Sequence, residues 1–365
     1  MSTAAAASPG PAPLDPVPLV EVTRRDVRTG DEIVESVHHG HLVHVTVTDA
    51  ADDGTQVLGL GDAHAAVFPR SAVKPFQAAA CIELLAGAGG EAAEVAAGLT
   101  DEEVAVGWAS HRAEPAQLDA VRSLLARGGL DESALTCPRA DVPDDPAAPR
   151  SRLAHNCSGK HALFAVTARL LGLDGGLDGD PESVLAADGP LQSRLLARVA
   201  ELIGPIGAVG VDGCGAPAIV VPLSALATAF ARLAVDDTAA LARVRDAGLA
   251  HPLLVGGSER RAGGMRVPLV DSALLGAGVV AKRGAEAVLA AGWRDGDGRG
   301  HGVAVKALDG SLRGASTALV ALLAAEGAVA ADVWADAAPR GGGEEAGTVR
   351  AVPKLHGMDG VLGPR

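Results

Sequence analysis

Apolar and polar residues alternate with a period of two along the first part of the chain, in Ile33-Val-Glu-Ser-Val37, Leu42-Val-His-Val-Thr-Val47 and Gln56-Val-Leu-Gly-Leu60. A strand turns successive side chains to opposite faces, so this alternation over residues 19–68 predicts an antiparallel meander. Thr29-Gly-Asp31 and Asp52-Asp-Gly54 supply turns between the strands. From about residue 76 to 250 the spacing becomes helical. Thr100-Asp-Glu-Glu103 has the form of a capping box, and residues 118–127 repeat apolar positions at helical spacing until Gly128. Residues 163–171 and 191–203 read the same way. Alternation returns in Gly302-Val-Ala-Val-Lys-Ala307, and an alanine-rich helix is expected over about 315–325.

Strands at both ends with helices between predict an α+β fold, in which an antiparallel sheet draws on residues of about 19–68 and 278–340. A mostly helical region of about 70–275 is inserted, giving a single domain over 19–340. Residues 1–18 are rich in Ala and Pro and read as a disordered tail, and residues 341–365, opening on three glycines, as a loosely ordered one. The 365 residues carry a formal charge of −14, without a basic block. That charge repels nucleic acid and anionic membranes. No unbroken apolar run reaches the ~18 residues of a membrane span, and the first 18 residues lack the basic and apolar regions of a signal peptide. The expected location is cytoplasmic, where the four cysteines do not suggest a disulfide framework.

Lysine usage points to chemistry. Only five of the 31 basic residues are lysine, and an arginine cannot act as a general base. Three of the five, Lys74, Lys160 and Lys282, sit in short motifs. Ser71 and Lys74, spaced i, i+3 at an expected helix start, project to the same face, where an amine can take a hydroxyl proton. The same spacing also suits an ordinary helix cap beside a solvated lysine. Asn156-Cys157-Ser-Gly-Lys160-His161 and Asp212-Gly-Cys214-Gly-Ala-Pro217 offer two thiols near a helix start and a glycine-rich turn, where metal binding competes with simple burial. Ser110-His111 follows a helix, and capping explains that pair as readily as catalysis.

Taken together and in order, Ser71-x-x-Lys74-Pro-x-Gln77, Ser110-His111-x-x-Glu114, His155-Asn-Cys157-Ser-Gly-Lys160-His161, Asp212-Gly-Cys214-Gly-x-Pro217 and Lys282-x-Gly-Ala-Glu286 resemble the class 3 (Rhizobium etli type) L-asparaginases, a family also called asparaginase II. Val34-Glu-Ser36-Val-His38-x-Gly40 fits as well, and the resemblance covers roughly residues 20–310. It implies a fold similar to serine β-lactamases and glutaminases, and a homodimeric amidohydrolase that converts L-asparagine to aspartate and ammonia. It also implies two Ser-Lys pairs, Ser71 with Lys74 and Ser110 with Lys282. One zinc per chain is implied on Cys157, Lys160 and Cys214, with water as fourth partner. Substrate-side candidates are Arg70 for the α-carboxylate and Asp212 for the α-amine, with His111 and His161. The chain departs from the pattern at Arg112-Ala113, where the family has a small residue and Gly, and in residues 256–263, where an Asp is expected after the arginine. Two other classes stay open: a penicillin-recognising acyl-serine hydrolase, and a non-catalytic, zinc-stabilised protein of the same fold. A Ser-Lys-Tyr mechanism is excluded, because the chain has no tyrosine.

Overall fold

The computed structural model describes residues 14–142, 145, 147–173, 181–261 and 264–352. Seven strands form one antiparallel sheet. Its order is Val280–Gly284, Val288–Arg294, Gly300–Ala307, Glu32–Val47, Val17–Arg25, Val349–Ala351. Thr55–Leu60 pairs with the second half of Glu32–Val47. The helices between Lys74–Ala88 and Val270–Gly276 lie in sequence between the two groups of strands, so the architecture is α+β with an open antiparallel sheet.

Two expectations need correction. Residues 33–37 and 42–47 belong to one 16-residue strand that runs straight through His38-His-Gly-His41. The polar run does not break the strand because its buried histidines find partners: His38 Nδ1 lies 2.5 Å from Asp309 Oδ2, and His41 Nδ1 accepts from Asp62 N at 2.9 Å. At the C-terminus, Val349–Ala351 is an in-register strand, with Ala351 opposite Val20, rather than part of a loose tail. Val17 and Pro18 likewise belong to the first strand, while residues 1–13 and 353–365 lie outside the described residues.

In its central strands the sheet is buried on both faces, and the period-two alternation divides the buried residues between two cores, whereas residues 32–36 are exposed. Val43, Val45, Val280, Val288, Ala290 and Ala304 pack with the inserted helices, including Lys74–Ala88, Asp101–Gly107 and Leu223–Val235. Leu42, Ala281, Leu289, Ala291, Val303 and Val305 pack instead with Val270 and Leu274 and with the helix Leu312–Ala325. Lys282 is two residues from Val280, so the strand directs it toward the side of the inserted helices. Among the described residues no helix is long and apolar enough to cross a membrane.

Candidate active site

Arg70–Val73 forms a single 3-10 turn that passes directly into the helix Lys74–Ala88. Pro75 fits there because the N–H it lacks would have no helical acceptor in the first turn. The turn begins on strained backbone: Arg70 has φ +52°, the left-handed region that disfavours a side chain. The strand Val280–Gly284 lies against the same turn. A Cβ at Gly284 would fall 2.2 Å from Pro69 O, so only glycine lets the Lys282 strand approach the Ser71 turn this closely. Gly159 does the same for the second motif, since a Cβ there would meet Val106 O at 2.0 Å. The helix Ser158–Leu170 is thereby seated against Asp101–Gly107 with Lys160 and His161 in its first turn.

Three lysines that the sequence singled out are fully buried. Lys74 Nζ donates to Ser110 Oγ at 3.1 Å and to Ala109 O at 2.5 Å. Its pKa is lowered, first by burial; the Cys157 thiol opposes that shift and the Lys160 ammonium adds to it. Lys160 Nζ lies 3.2 Å from Cys214 Sγ. Burial alone would push Lys160 down, yet Cys214 and Cys157 outweigh it and hold the amine above its ordinary pKa. The Cys157 thiol is held well below its usual range, first by its hydrogen bond with Cys214 and then by Lys74 and Lys160 against the opposing effect of burial. Cys157, Cys214 and Lys160 thus form one buried, mutually hydrogen-bonded cluster. Among the described residues no three His, Cys, Asp or Glu side chains gather around a point. The cluster here consists of two thiols and an amine.

Lys282 has different company. Its Nζ donates to Asp271 Oδ2 at 3.1 Å and to Arg283 O at 3.2 Å. Burial lowers its pKa to about 7, with Asp271 opposing and Arg283 reinforcing the shift. The expected Ser-Lys partners therefore differ from the hydrogen bonds found: Lys74 holds Ser110, and Lys282 holds Asp271. Sequence reasoning missed Asp271, a buried carboxylate in the first turn of Val270–Gly276. A charged residue on a short, otherwise apolar stretch was the available signal, because burying an acid requires a buried cation to receive it.

Arg70 and Asp212, expected at opposite ends of a substrate, bind each other through Nη2 and Oδ1 at 2.6 Å and Nε and Oδ1 at 3.0 Å. They line a cleft with Ser71, Lys74, Gln77 and Lys160. Its free volume of about 10 Å3 admits about one water. Behind the Asp212–Cys214 turn lies a cavity of about 420 Å3 lined by Thr136, Leu185, Val211, Cys214 and Pro217. A cavity of about 490 Å3 between the helix Leu312–Ala325 and the strand Val349–Ala351 is lined by none of the candidate residues.

Both expected histidines are buried. His111 Nδ1 accepts from Ala113 N at 3.1 Å, which leaves Nε2–H to donate to Ser158 Oγ at 2.8 Å. Burial and Lys74 push its pKa down to about 3, so this neutral ring holds the Ser110 loop, with both nitrogens engaged. His161 Nδ1 pairs with Thr136 Oγ1 at 2.8 Å, and Nε2 has no partner among the described residues. The departure at Arg112-Ala113 has a backbone meaning: Ala113 adopts φ +55°, a conformation that a glycine occupies without strain. Glu114 ties this loop to the hairpin of Ser258–Arg260 and Arg266–Pro268, accepting from Ser258 N at 2.8 Å and Arg266 Nη2 at 2.7 Å. Residues 262 and 263 of the departing 256–263 run lie outside the described residues. Lys306, in the strand Gly300–Ala307, is half-buried and donates to Glu286 O.

Compared with known proteins, residues 20–351 match the family model described as L-asparaginase II. No curated protein matches the chain.

Proposed function

The chain belongs to the L-asparaginase II family, and on that basis we propose that it hydrolyses the side-chain amide of L-asparagine through a Ser-Lys acyl-enzyme. The family implies an amidohydrolase acting on a small-molecule amide. The finer reading rests on one observation above all: Lys74 is fully buried, its pKa is lowered, and its amine is already hydrogen-bonded to a serine hydroxyl. Burial that lowers the pKa makes this amine readier to take a proton from a hydroxyl as a base than an exposed lysine, which stays protonated at pH 7.

In this mechanism Lys74 takes the proton of Ser71, whose oxygen attacks the amide carbon. The proton passes through Ser110, which Lys74 touches, to the departing nitrogen, and ammonia leaves. Water then attacks the acyl-enzyme, giving its proton to Lys74, and aspartate leaves as Ser71 recovers its hydrogen. Substrate ends take over the charges that now neutralise each other: Arg70 receives the α-carboxylate and Asp212 the α-amine. Because the cleft admits about one water, that exchange must part the Arg70–Asp212 ion pair.

We propose further that Cys157, Lys160 and Cys214 hold one zinc, with water as fourth partner. Two thiols and an amine gathered in a buried cluster fit a tetrahedral site that prefers sulfur and nitrogen donors. Binding would displace the protons now shared by the thiols and Lys160. Bound there, zinc would supply Lewis acidity and rigidity beside the cleft. The serine β-lactamase/glutaminase-like fold and the homodimer belong to the same proposal.

The test is ammonia release by purified protein from L-asparagine, with L-glutamine and a chromogenic β-lactam in parallel. Faster release from asparagine than from glutamine, without β-lactam hydrolysis, is expected. Equal or faster glutamine turnover overturns the substrate, and absence of all amidase activity favours the non-catalytic reading.

A further inference from the structure

We propose that Asp271 is a positioning residue for amide hydrolysis, setting the charge of Lys282 on one side and clamping Ser110 through Arg283 on the other. The proposal rests on the amidohydrolase reading above. Asp271 is fully buried and receives Lys282 Nζ on Oδ2 at 3.1 Å and Arg283 Nη1 on Oδ1. Burial alone would raise its pKa, but Arg283 and Lys282 outweigh that and keep it ionised. Held by this ion pair, Arg283 also reaches the serine loop, where its Nη2 donates to Ser110 O at 3.1 Å and to Gly256 O at 3.2 Å. Ser110 N donates to Val255 O at 2.8 Å, so both backbone groups of the serine that touches Lys74 are held by this one corner of the molecule.

The site has no spare room around the carboxylate. A Cβ at Gly256 would meet Asp271 Oδ1 and Ser272 Oγ at 2.4 Å each. Ser272 Oγ in turn donates to Pro252 O at 2.9 Å and to Gly257 O at 3.0 Å, fixing the helix start that presents Asp271. A fully desolvated carboxylate costs free energy to bury, and apolar residues often replace such ionic clusters without loss of stability, so its presence here points to a use for its charge. Asp271, Arg283 and Lys74 are the charged groups that face Lys282. Removing the carboxylate leaves the Arg283 guanidinium unopposed beside Lys282 and favours the neutral amine. Removing the Arg283 charge leaves the carboxylate to Lys282 alone and favours the ammonium.

Those opposite signs give the test, and five lysines keep it legible. Full-length protein labelled at lysine 13Cε would be titrated by NMR, with the Lys282 signal assigned by its loss in Lys282→Arg. In Asp271→Asn the Lys282 midpoint should fall by about one pH unit or more; in Arg283→Gln it should rise, with the Lys306 signal unmoved. Both variants should lose about tenfold or more in kcat on asparagine while KM changes by less than about threefold, the pattern of a misplaced reacting group. If Asp271→Asn does not fold, the rise in Arg283→Gln decides. An unchanged Lys282 midpoint in the folded variants overturns the proposal, as do shifted midpoints with full kcat. A wild type that shows the titration and its shifts but no amidase activity contradicts the amidohydrolase reading, while the coupling of Asp271 to Lys282 stands.

Discussion

Two buried amines, Lys74 and Lys282, are kept in contrasting surroundings. Lys74 faces thiols and a second lysine, whereas Lys282 faces a carboxylate and a guanidinium. Burial lowers the pKa of both. In the sulfur-lined half, charge is neutralised by groups that are themselves titratable or able to bind metal, so the state of Lys74 depends on what occupies Cys157 and Cys214. In the carboxylate-lined half Asp271 is a fixed counter-charge. One fold therefore buries two lysines in different company, and the proposed mechanism gives them different uses: Lys74 as a base beside the sulfur cluster, Lys282 in an ionic clamp.

Disrupting the sulfur-lined half should give the largest effect. If Cys157, Lys160 and Cys214 share a zinc, elemental analysis of the purified protein should find about one zinc per chain and essentially none in Cys157→Ser or Cys214→Ser. Cys81 and Cys137 are also buried, with their thiols pushed up to about 12 chiefly by burial; Cys137, close enough to feel Cys157, donates its S–H to Arg152 O, and both serine variants should keep the metal. Zinc retained in both Cys157→Ser and Cys214→Ser removes the proposed site.

In the carboxylate-lined half the informative variable is pH. Lys282 has a folded pKa of about 7, below its unfolded value, so its neutral fraction rises as pH rises through 7. If the neutral amine takes part in turnover, kcat should fall by about tenfold per pH unit below that point. The linkage has a definite sign for stability as well. Above pH 7 the unfolded chain binds more protons at this lysine than the folded one, so its contribution increases between pH 7 and the unfolded lysine range and is flat below. A kcat that stays level from pH 5 to 8 would show that Lys282 does not titrate during catalysis.

The smallest effect concerns the loop that joins the halves. Relieving the left-handed backbone at Ala113 with Ala113→Gly gains about 1–2 kcal/mol, offset by about 0.4–1 kcal/mol of added freedom in the unfolded chain. A net stabilisation of about 0.5–1 kcal/mol in urea unfolding is expected, and a loss of stability would mean that the alanine is not strained.

How much of this was legible in the sequence differs by level. Helix ends were, because Thr100 and Glu103 form both bonds of their capping box and Gly128 follows the helix Pro115–Arg127. The strand through His38 and His41 was not, since its polar run is accommodated by Asp309 and the Asp62 backbone, partners distant in sequence. In the site, the residue types that gather around Ser110 were visible as motifs. Their pairing was hidden, because spacing along one helix suggests Ser71 for Lys74 while the fold brings Ser110 to it. Asp271 showed only as a charge in an apolar stretch, and its pairing was hidden for the same reason: its partners Lys282 and Arg283 come from a strand, 11 and 12 residues further along. Local chemistry is written locally, and ionic partnership is a tertiary property.

The proposed mechanism depends first on buried Lys74 as the base for acyl transfer, and Lys74→Arg probes that role alone. Arginine keeps the positive charge and approximate reach but cannot give up its proton. With circular dichroism confirming the fold, kcat for ammonia release from asparagine should fall by about 10²-fold or more. A folded Lys74→Arg variant with near-wild-type kcat would refute Lys74 as the base.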